Sequence, residues 1–179
     1  NNTELTIYAQ YTEVGNFVVI YSAVGADEET IPTDNTQYNI AETSIIKIPN
    51  QEPKKLGYTF EGWKTGTDDT VYKYGTQNDT YTVPNDISGA ITFIAQWSIN
   101  EYKITYELNG GINAENAPVS YTIETDTITL PVPTKDGYNF EGWYTDAAFE
   151  NAVAAIAKGS VGDMVLYAKW SEKDMAVYK

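Results

Sequence analysis

Cysteine, histidine and arginine are all missing from the 179 residues, so the 11 basic residues are all lysines. Without cysteine neither a disulfide framework nor a catalytic thiol can form, and without cysteine or histidine the usual structural zinc ligands are gone. A Ser-His-Asp triad is excluded with them. The lack of arginine removes the bidentate fork that grips phosphate and carboxylate. Positive charge is scarce in general: 25 acids face the 11 lysines, giving a net charge of −14 and a pI near 4.2. Such a chain repels polyanions, and no nucleic-acid partner is expected. No apolar run approaches the roughly 20 residues of a spanning helix, so no membrane insertion is expected within this chain. No leader is visible at Asn1, yet the chain opens abruptly and reads as an excised or processed piece, so the missing leader does not argue for the cytoplasm.

What is present favours strands. Hydrophobic residues make up 42% of the chain and aromatic residues 13%, with 15 tyrosines, 4 tryptophans and 13 glycines. Aromatic and β-branched side chains suit a pleated, half-buried surface, while Gly, Asn and Asp suit the turns between strands.

The sequence is internally repeated. Gly57-Tyr58-Thr59-Phe60-Glu61-Gly62-Trp63 returns as Gly137-Tyr138-Asn139-Phe140-Glu141-Gly142-Trp143, with six of seven positions identical. Phe93-Ile94-Ala95-Gln96-Trp97 returns as Leu166-Tyr167-Ala168-Lys169-Trp170, and Phe17 to Tyr21 aligns with Tyr102 to Tyr106. Tyr38-Asn39-Ile40 matches Tyr121-Thr122-Ile123. The order is kept while the offset shrinks along the chain, so repeat one carries small insertions. Leu5 to Tyr11 reads like the segments ending at Trp97 and Trp170, and is expected to close a preceding repeat. The units are therefore placed at 1–11 (that closing strand), 12–98, 99–170 and 171–179 (a tail or linker), with a short bridge near Ser98 to Glu101.

Within repeat two, strands are expected near 101–109, 119–130, 138–145 and 164–170. Tyr102, Ile104, Tyr106 and Leu108 alternate with Lys103, Thr105 and Glu107, the period of a half-buried strand. Asn109-Gly110-Gly111 then signals a turn. Repeat one follows the same plan with an inserted hairpin near 70–83, Val71 to Tyr74 against Thr80 to Val83. Ala147 to Lys158 is alanine-rich, follows Thr145-Asp146 and ends at Gly159, so propensity alone favours a helix. The internal alignment sets Ile156-Ala157 against Val83-Pro84, and a proline does not belong in a helix interior. A single turn followed by extended chain is the expectation.

The string Gly-Tyr-x-Phe-x-Gly-Trp, followed by Leu-Tyr-Ala-Lys-Trp, resembles the internalin B-repeat family, also called the Listeria–Bacteroides repeat. Repeat two fits closely through Tyr102 to Tyr106, Asn109-Gly110-Gly111, Pro133 to Tyr144, Lys158 to Asp163 and Leu166 to Trp170. Repeat one diverges, with its glycine turn reduced to Gly25 and its middle extended. The resemblance implies a mainly β fold (α+β at most): tandem small β-grasp-like, ubiquitin-like modules with little or no helix. It also implies stalk or protein-contact roles on bacterial surface proteins. It supplies no catalytic residue and no agreed ligand.

Several residues could carry chemistry, and each has a plainer role. Trp63/Trp143 and Trp97/Trp170 could be sugar platforms, but residues required once per module at fixed places are expected to be its core. Gly62 and Gly142 are read as sites of a bulge or close approach. Asp68-Asp69, Asp27-Glu28-Glu29 and Glu61/Glu141 could suggest paired-carboxylate hydrolysis, yet they fall in or beside turns or on strand surfaces, with no apolar setting around them that the sequence can identify. The oxygen-rich turns at Thr65 to Thr70 and Asn78-Asp79 offer calcium-type ligands without the spacing of a calcium loop. Lys103 and Lys169 could enter a Lys–Asn isopeptide bond, but alternation turns both away from the apolar face. No catalytic, cofactor or metal residue is assigned, no cofactor is expected, and the ligand-binding residues stay unknown.

Two functions fit. The first is a non-catalytic tandem module of a secreted or cell-surface bacterial protein, acting as a spacer and a protein-interaction surface of adhesin type. The second is a carbohydrate-binding module of an extracellular polysaccharide-degrading system. The partner is expected to be a protein or glycan at the cell surface or cell wall, and the chain a monomer. The aromatics outside the repeat pattern discriminate the two: Tyr72, Tyr74 and Tyr81 in repeat one, Tyr144 and Phe149 in repeat two. A flat exposed strip of these rings would favour glycan binding.

Overall fold

The computed structural model describes residues 15–66 and 69–174. They form two compact units, one of residues 15–55 with Phe60–Ser98, the other of Leu56–Thr59 with residues 99–174. The expected strand at Leu5 to Tyr11 and the end of the tail lie outside the described residues. Both units are built of strands and turns, and the fold is mainly β. The only helical element among the described residues is one 3-10 turn, Glu28–Thr30.

In unit one, β1 (Asn16–Ser22) alternates buried Phe17 and Val19 with exposed Val18 and Ile20. It pairs antiparallel with β2 (Gln37–Asn39) and parallel with β6 (Gly89–Ile99), from Phe17 opposite Gly89 to Ser22 opposite Ile94. With β4 (Tyr58–Lys64) the sheet runs β2-β1-β6-β4, and β3 (Ile45–Lys47) pairs separately with β5 (Thr80–Thr82). Unit two repeats this plan. Its β7 (Tyr102–Glu107) lies between β8 (Ser120–Tyr121) and a parallel β13 (Met164–Glu172). The sheet continues through β10 (Tyr138–Tyr144) to β11 (Ala152–Val153), and β9 (Ile128–Thr129) pairs with β12 (Ala155–Ile156). A parallel pair needs a long crossover between its strands. Here that crossover is the run of short strands and turns, and the central first-to-last parallel pair is the β-grasp-like arrangement.

Each unit has its own core. Trp63, Phe17, Phe93 and Ile48 are fully buried in one, and Trp143, Leu166, Ala168 and Ile104 in the other. Trp63 and Trp143 occupy matching places, each edge-on to the preceding phenylalanine, Phe60 or Phe140. The glycine between that phenylalanine and tryptophan has φ 138° at Gly62 and 139° at Gly142. In unit two it marks a register shift in β10, a bulge that swings Trp143 into the core.

Two local expectations are revised and a third holds. The stretch 119–130 is two short strands interrupted by a turn at 123–125, where the Thr125 hydroxyl accepts from the Thr122 backbone N–H. The segment 70–83 is not a self-paired hairpin: Tyr72 bridges Trp63, and Tyr81 in β5 lies opposite Ile46. Repeat two does the same, with Val153 opposite Trp143 and Ile156 opposite Ile128. The insertion is therefore only the longer connection 73–79, which stands where repeat two has Ala154. In 147–158 the extended reading holds. The Asp146 carboxylate accepts from the Glu150 and Asn151 backbone N–H groups, closing a tight turn, and β11 and β12 follow. Pairing with β9 and β10 overrides alanine's helix preference.

Candidate functional site

The aromatics outside the repeat pattern divide between the units. Tyr72 and Tyr81 are buried against Phe93, with their own rings 5.4 Å apart, and only Tyr74 is substantially exposed. They form no exposed strip. Tyr144 and Phe149 instead meet at the surface of unit two, edge-to-face with centroids 5.5 Å apart.

Phe149 borders a groove of about 570 Å³ lined also by Asn109, Lys135, Tyr138, Tyr167, Lys169 and Trp170, with Ala147 and Ala168, and Tyr144 packs behind it against Phe149 and Lys169. Its parts come from four places in the chain. The turn after β7 supplies Asn109, whose φ is 50° and whose amide nitrogen donates to the Ala168 carbonyl at 2.9 Å. Gly111 follows, and a Cβ there would stand 2.5 Å from Cζ2 of Trp170, so a glycine is needed to seat that indole. Trp170 Nε1 in turn donates to the Leu108 carbonyl at 2.9 Å. The turn before β10 supplies Lys135, which donates to the Asn109 carbonyl at 2.8 Å and stands 4.1 Å from the Tyr138 ring centroid.

The third piece is the Asp146 turn. Phe149 adopts φ 58° there, and Asn109 and Phe149 are the two non-glycine residues with positive φ among those described. Both line the groove. Left-handed backbone at a non-glycine residue is costly and tends to sit where a side chain must be held in place. The fourth piece is β13, which presents Tyr167 and Lys169. The Lys169 ammonium stands 5.1 Å from the Tyr144 ring and 5.7 Å from the Phe149 ring, within cation–π range.

The electrostatics are local. No Asp or Glu lines the groove. Asp146, just outside it, is held below the usual carboxylate range by the Glu150 and Asn151 backbone N–H groups. Chemically the arrangement offers ring faces, phenol hydroxyls and two ammonium groups; it holds no carboxylate pair.

The other sequence candidates are placed as follows. Trp63 and Trp143 are core, as expected. Trp97 and Trp170 are only partly buried, packed at the margin of their cores, which corrects the reading of all four as core. Lys103 is exposed, whereas Lys169 is half covered by two rings and so is not simply solvent-facing. Glu61 and Glu141 are exposed and accept from the Ser98 and Ser171 hydroxyls, the same contact in each repeat. Asp68 lies outside the described residues. Among those described, no three acids gather as a metal-binding group, and no helix is long and apolar enough to cross a membrane.

Known proteins are similar in sequence to this chain. It is 32% identical over 96% of its length to a conjecturally named Gly-rich membrane protein of Evansella cellulosilytica. A second conjecturally named membrane protein of that organism is 29% identical over 97% of the chain. Internalin H of Listeria monocytogenes is 33% identical over 78% of it. The chain spans 19%, 24% and 24% of the length of these relatives. The Listeria-Bacteroides repeat domain model matches twice, at residues 17–96 and 102–169, in step with the two copies seen in the sequence and with their strands. The chain belongs to the Listeria-Bacteroides repeat domain family.

Proposed function

We propose that this chain is a non-catalytic tandem segment of a secreted or cell-surface bacterial protein, serving as a spacer and as a protein-contact surface of adhesin type. One observation carries the reading: the two copies reuse the same buried apolar positions and differ at a set of outward ones. Trp63/Trp143 and Ala95/Ala168 hold the same buried positions, while Lys64 is replaced by Tyr144, Gln96 by Lys169 and Ile94 by Tyr167. A reused apolar core with outward positions that differ between copies suits a module whose scaffold is shared and whose contacts are specific to each copy. The outer face of the unit-one sheet also exposes Val18, Ile20 and Ile94, an apolar surface suited to a protein contact. The internalin and membrane-protein names of the relatives support the location. Protease shaving of intact cells that express the full-length protein should release peptides from residues 15–174. Recovery of those peptides only after lysis would refute the placement.

Glycan binding is the second reading, and the unit-two groove favours it. Aromatic rings at an open groove can receive a pyranose face. Titrating the chain with oligosaccharides tests it.

A further inference from the structure

We propose that the groove of repeat two binds a short acidic oligosaccharide, with pyranose faces on Phe149 and Tyr167 and ring carboxylates paired with Lys169 and Lys135. This deepens the glycan-binding reading and rests on it.

Charge is the first argument. A chain with 25 acids and 11 lysines has placed two lysines and no acid around one concavity of about 570 Å³. The Lys169 ammonium makes no ion pair or hydrogen bond among the described residues; its neighbours are the Tyr144 and Phe149 rings. Lys135 spends one donor on the Asn109 carbonyl and keeps two. An ammonium held over rings and without a carboxylate partner is a ready counter-charge for an anion.

Repeat logic is the second. Lys135, Tyr138 and Trp170 have counterparts in Lys55, Tyr58 and Trp97, so they belong to the shared scaffold. Tyr144, Tyr167 and Lys169 align with Lys64, Ile94 and Gln96 of repeat one, and the turn that holds Phe149 is one residue longer in repeat two. The β-grasp-like fold does not need these residues, since repeat one forms it without them. They nevertheless converge, and Phe149 holds a strained backbone to join them.

Backbone pairing decides the ligand class. The strand beneath the groove, β13, is central, flanked by β10 and β7. Past the end of the β7 ladder, the Ala168 carbonyl is taken by Asn109 Nδ2. An extended peptide draws affinity from an open strand edge, and this floor offers none. Recognition must come from side chains, and rings with ammonium and phenol groups match the flat faces, carboxylates and hydroxyls of acidic sugars. A short ligand meets the two lysines within a screening length, whereas a long polyanion also meets the net charge of −14.

The test titrates the full chain with trigalacturonate, neutral galactotriose and heparin, read by backbone and Trp Nε1 NMR shifts. Trigalacturonate should give saturable shifts at Asn109, Lys169 and Trp170 that weaken as salt rises from about 50 to about 500 mM. Lys169→Gln and Phe149→Gly should each weaken binding about tenfold or more. Glycine accepts the positive φ at 149, so that variant keeps the fold, and an unchanged melting temperature verifies it. Equal binding of galactotriose at the same residues would overturn the charge assignment and leave glycan binding standing. No saturable shift with either trisaccharide would overturn both, and shifts confined to other lysines, or heparin binding tighter than trigalacturonate, would overturn the site.

Discussion

Truncating Trp143 should unfold repeat two, and the structure sets the size of the loss. The indole is 3% exposed, its centroid 5.2 Å from the Tyr106 ring and 5.4 Å from the Phe140 ring. Its Nε1 donates to the Pro131 carbonyl at 2.7 Å. Trp143→Ala removes the buried ring at a cost of about 3–5 kcal/mol, and leaving Pro131 without its donor adds about 1–3 kcal/mol if water does not replace it. A unit of this size holds only ~4–10 kcal/mol in total. The variant should thus be unfolded or nearly so in water. Trp143→Phe keeps a ring against Phe140 and Tyr106 and loses the donor and some buried volume, and should cost about 1–3 kcal/mol. Trp170→Ala supplies the contrast, because its indole is partly exposed at the core margin, and it should cost less than half as much as Trp143→Ala. Urea unfolding followed by near-ultraviolet circular dichroism, with hydrogen exchange locating the loss to unit two, measures all three. A Trp143→Ala cost under about 1 kcal/mol, or an equal cost at Trp170, would refute the reasoning.

The two bulge glycines should respond unequally to alanine. At Gly62 a Cβ would stand 2.6 Å from Val71 Cγ1 and 2.7 Å from the Tyr72 carbonyl oxygen, whereas at Gly142 the nearest atom is 3.8 Å away. Gly142→Ala should cost about 1–3 kcal/mol from backbone strain alone, and Gly62→Ala clearly more, as denaturant midpoints will show. Asp146 has a depressed folded pKa, so its contribution is present above the unfolded value near 3.9 and is lost as pH falls through the folded one. Asp146→Asn should flatten the fall in melting temperature below about pH 4, and an unchanged acid limb would contradict this. Burial, with smaller effects from Asp34 and Tyr38, pushes the Tyr21 hydroxyl well up. A raised acid stabilises fully below its unfolded pKa near 10 and loses that as pH rises. Alkaline melting above about pH 10 should be shallower in Tyr21→Phe than in the parent.

The sequence shows the fold more plainly than the groove, for a physical reason. The fold rests on residues needed twice at the same places, and comparison of the two copies exposes them: Trp63 with Trp143, Gly62 with Gly142, Ile104 in its alternating strand. It also corrects propensity at Ala147 to Lys158, because the matching stretch of repeat one reads as strand, and in the structure Ile156 lies opposite Ile128 as Tyr81 lies opposite Ile46. Errors arise where one copy carries something extra. The connection 73–79 reads as a hairpin because Val71 to Tyr74 and Thr80 to Val83 are both strand-like, yet each arm finds its partner elsewhere, at Trp63 and at Ile45 to Lys47. Alternation likewise turns Lys169 outward correctly, but it does not reveal that the outward side is already occupied by Tyr144 and Phe149.

The tryptophan assignment shows the same limit from the other side. Recurrence at a fixed place argues for a structural role, and Trp97 and Trp170 do have one, since each packs at its core margin. Recurrence says nothing about how much of the ring is left exposed. In repeat two the Asn109-Gly110-Gly111 turn receives one side of the Trp170 indole, and the other side is available to whatever a given copy places beside it. Repeat one places Gln96 and Lys64 at the corresponding positions, and repeat two places Lys169 and Tyr144. A scaffold residue can thus become part of a site through neighbours that the scaffold does not specify. Transferring Lys169, Tyr144 and Tyr167 onto Gln96, Lys64 and Ile94, with the Asp146 to Asn151 turn grafted after Thr65, should carry trigalacturonate binding to repeat one. New NMR shifts at Trp97 Nε1, with an affinity within about tenfold of repeat two, are the expected result. A folded graft that binds nothing would mean that the convergence in repeat two is packing alone.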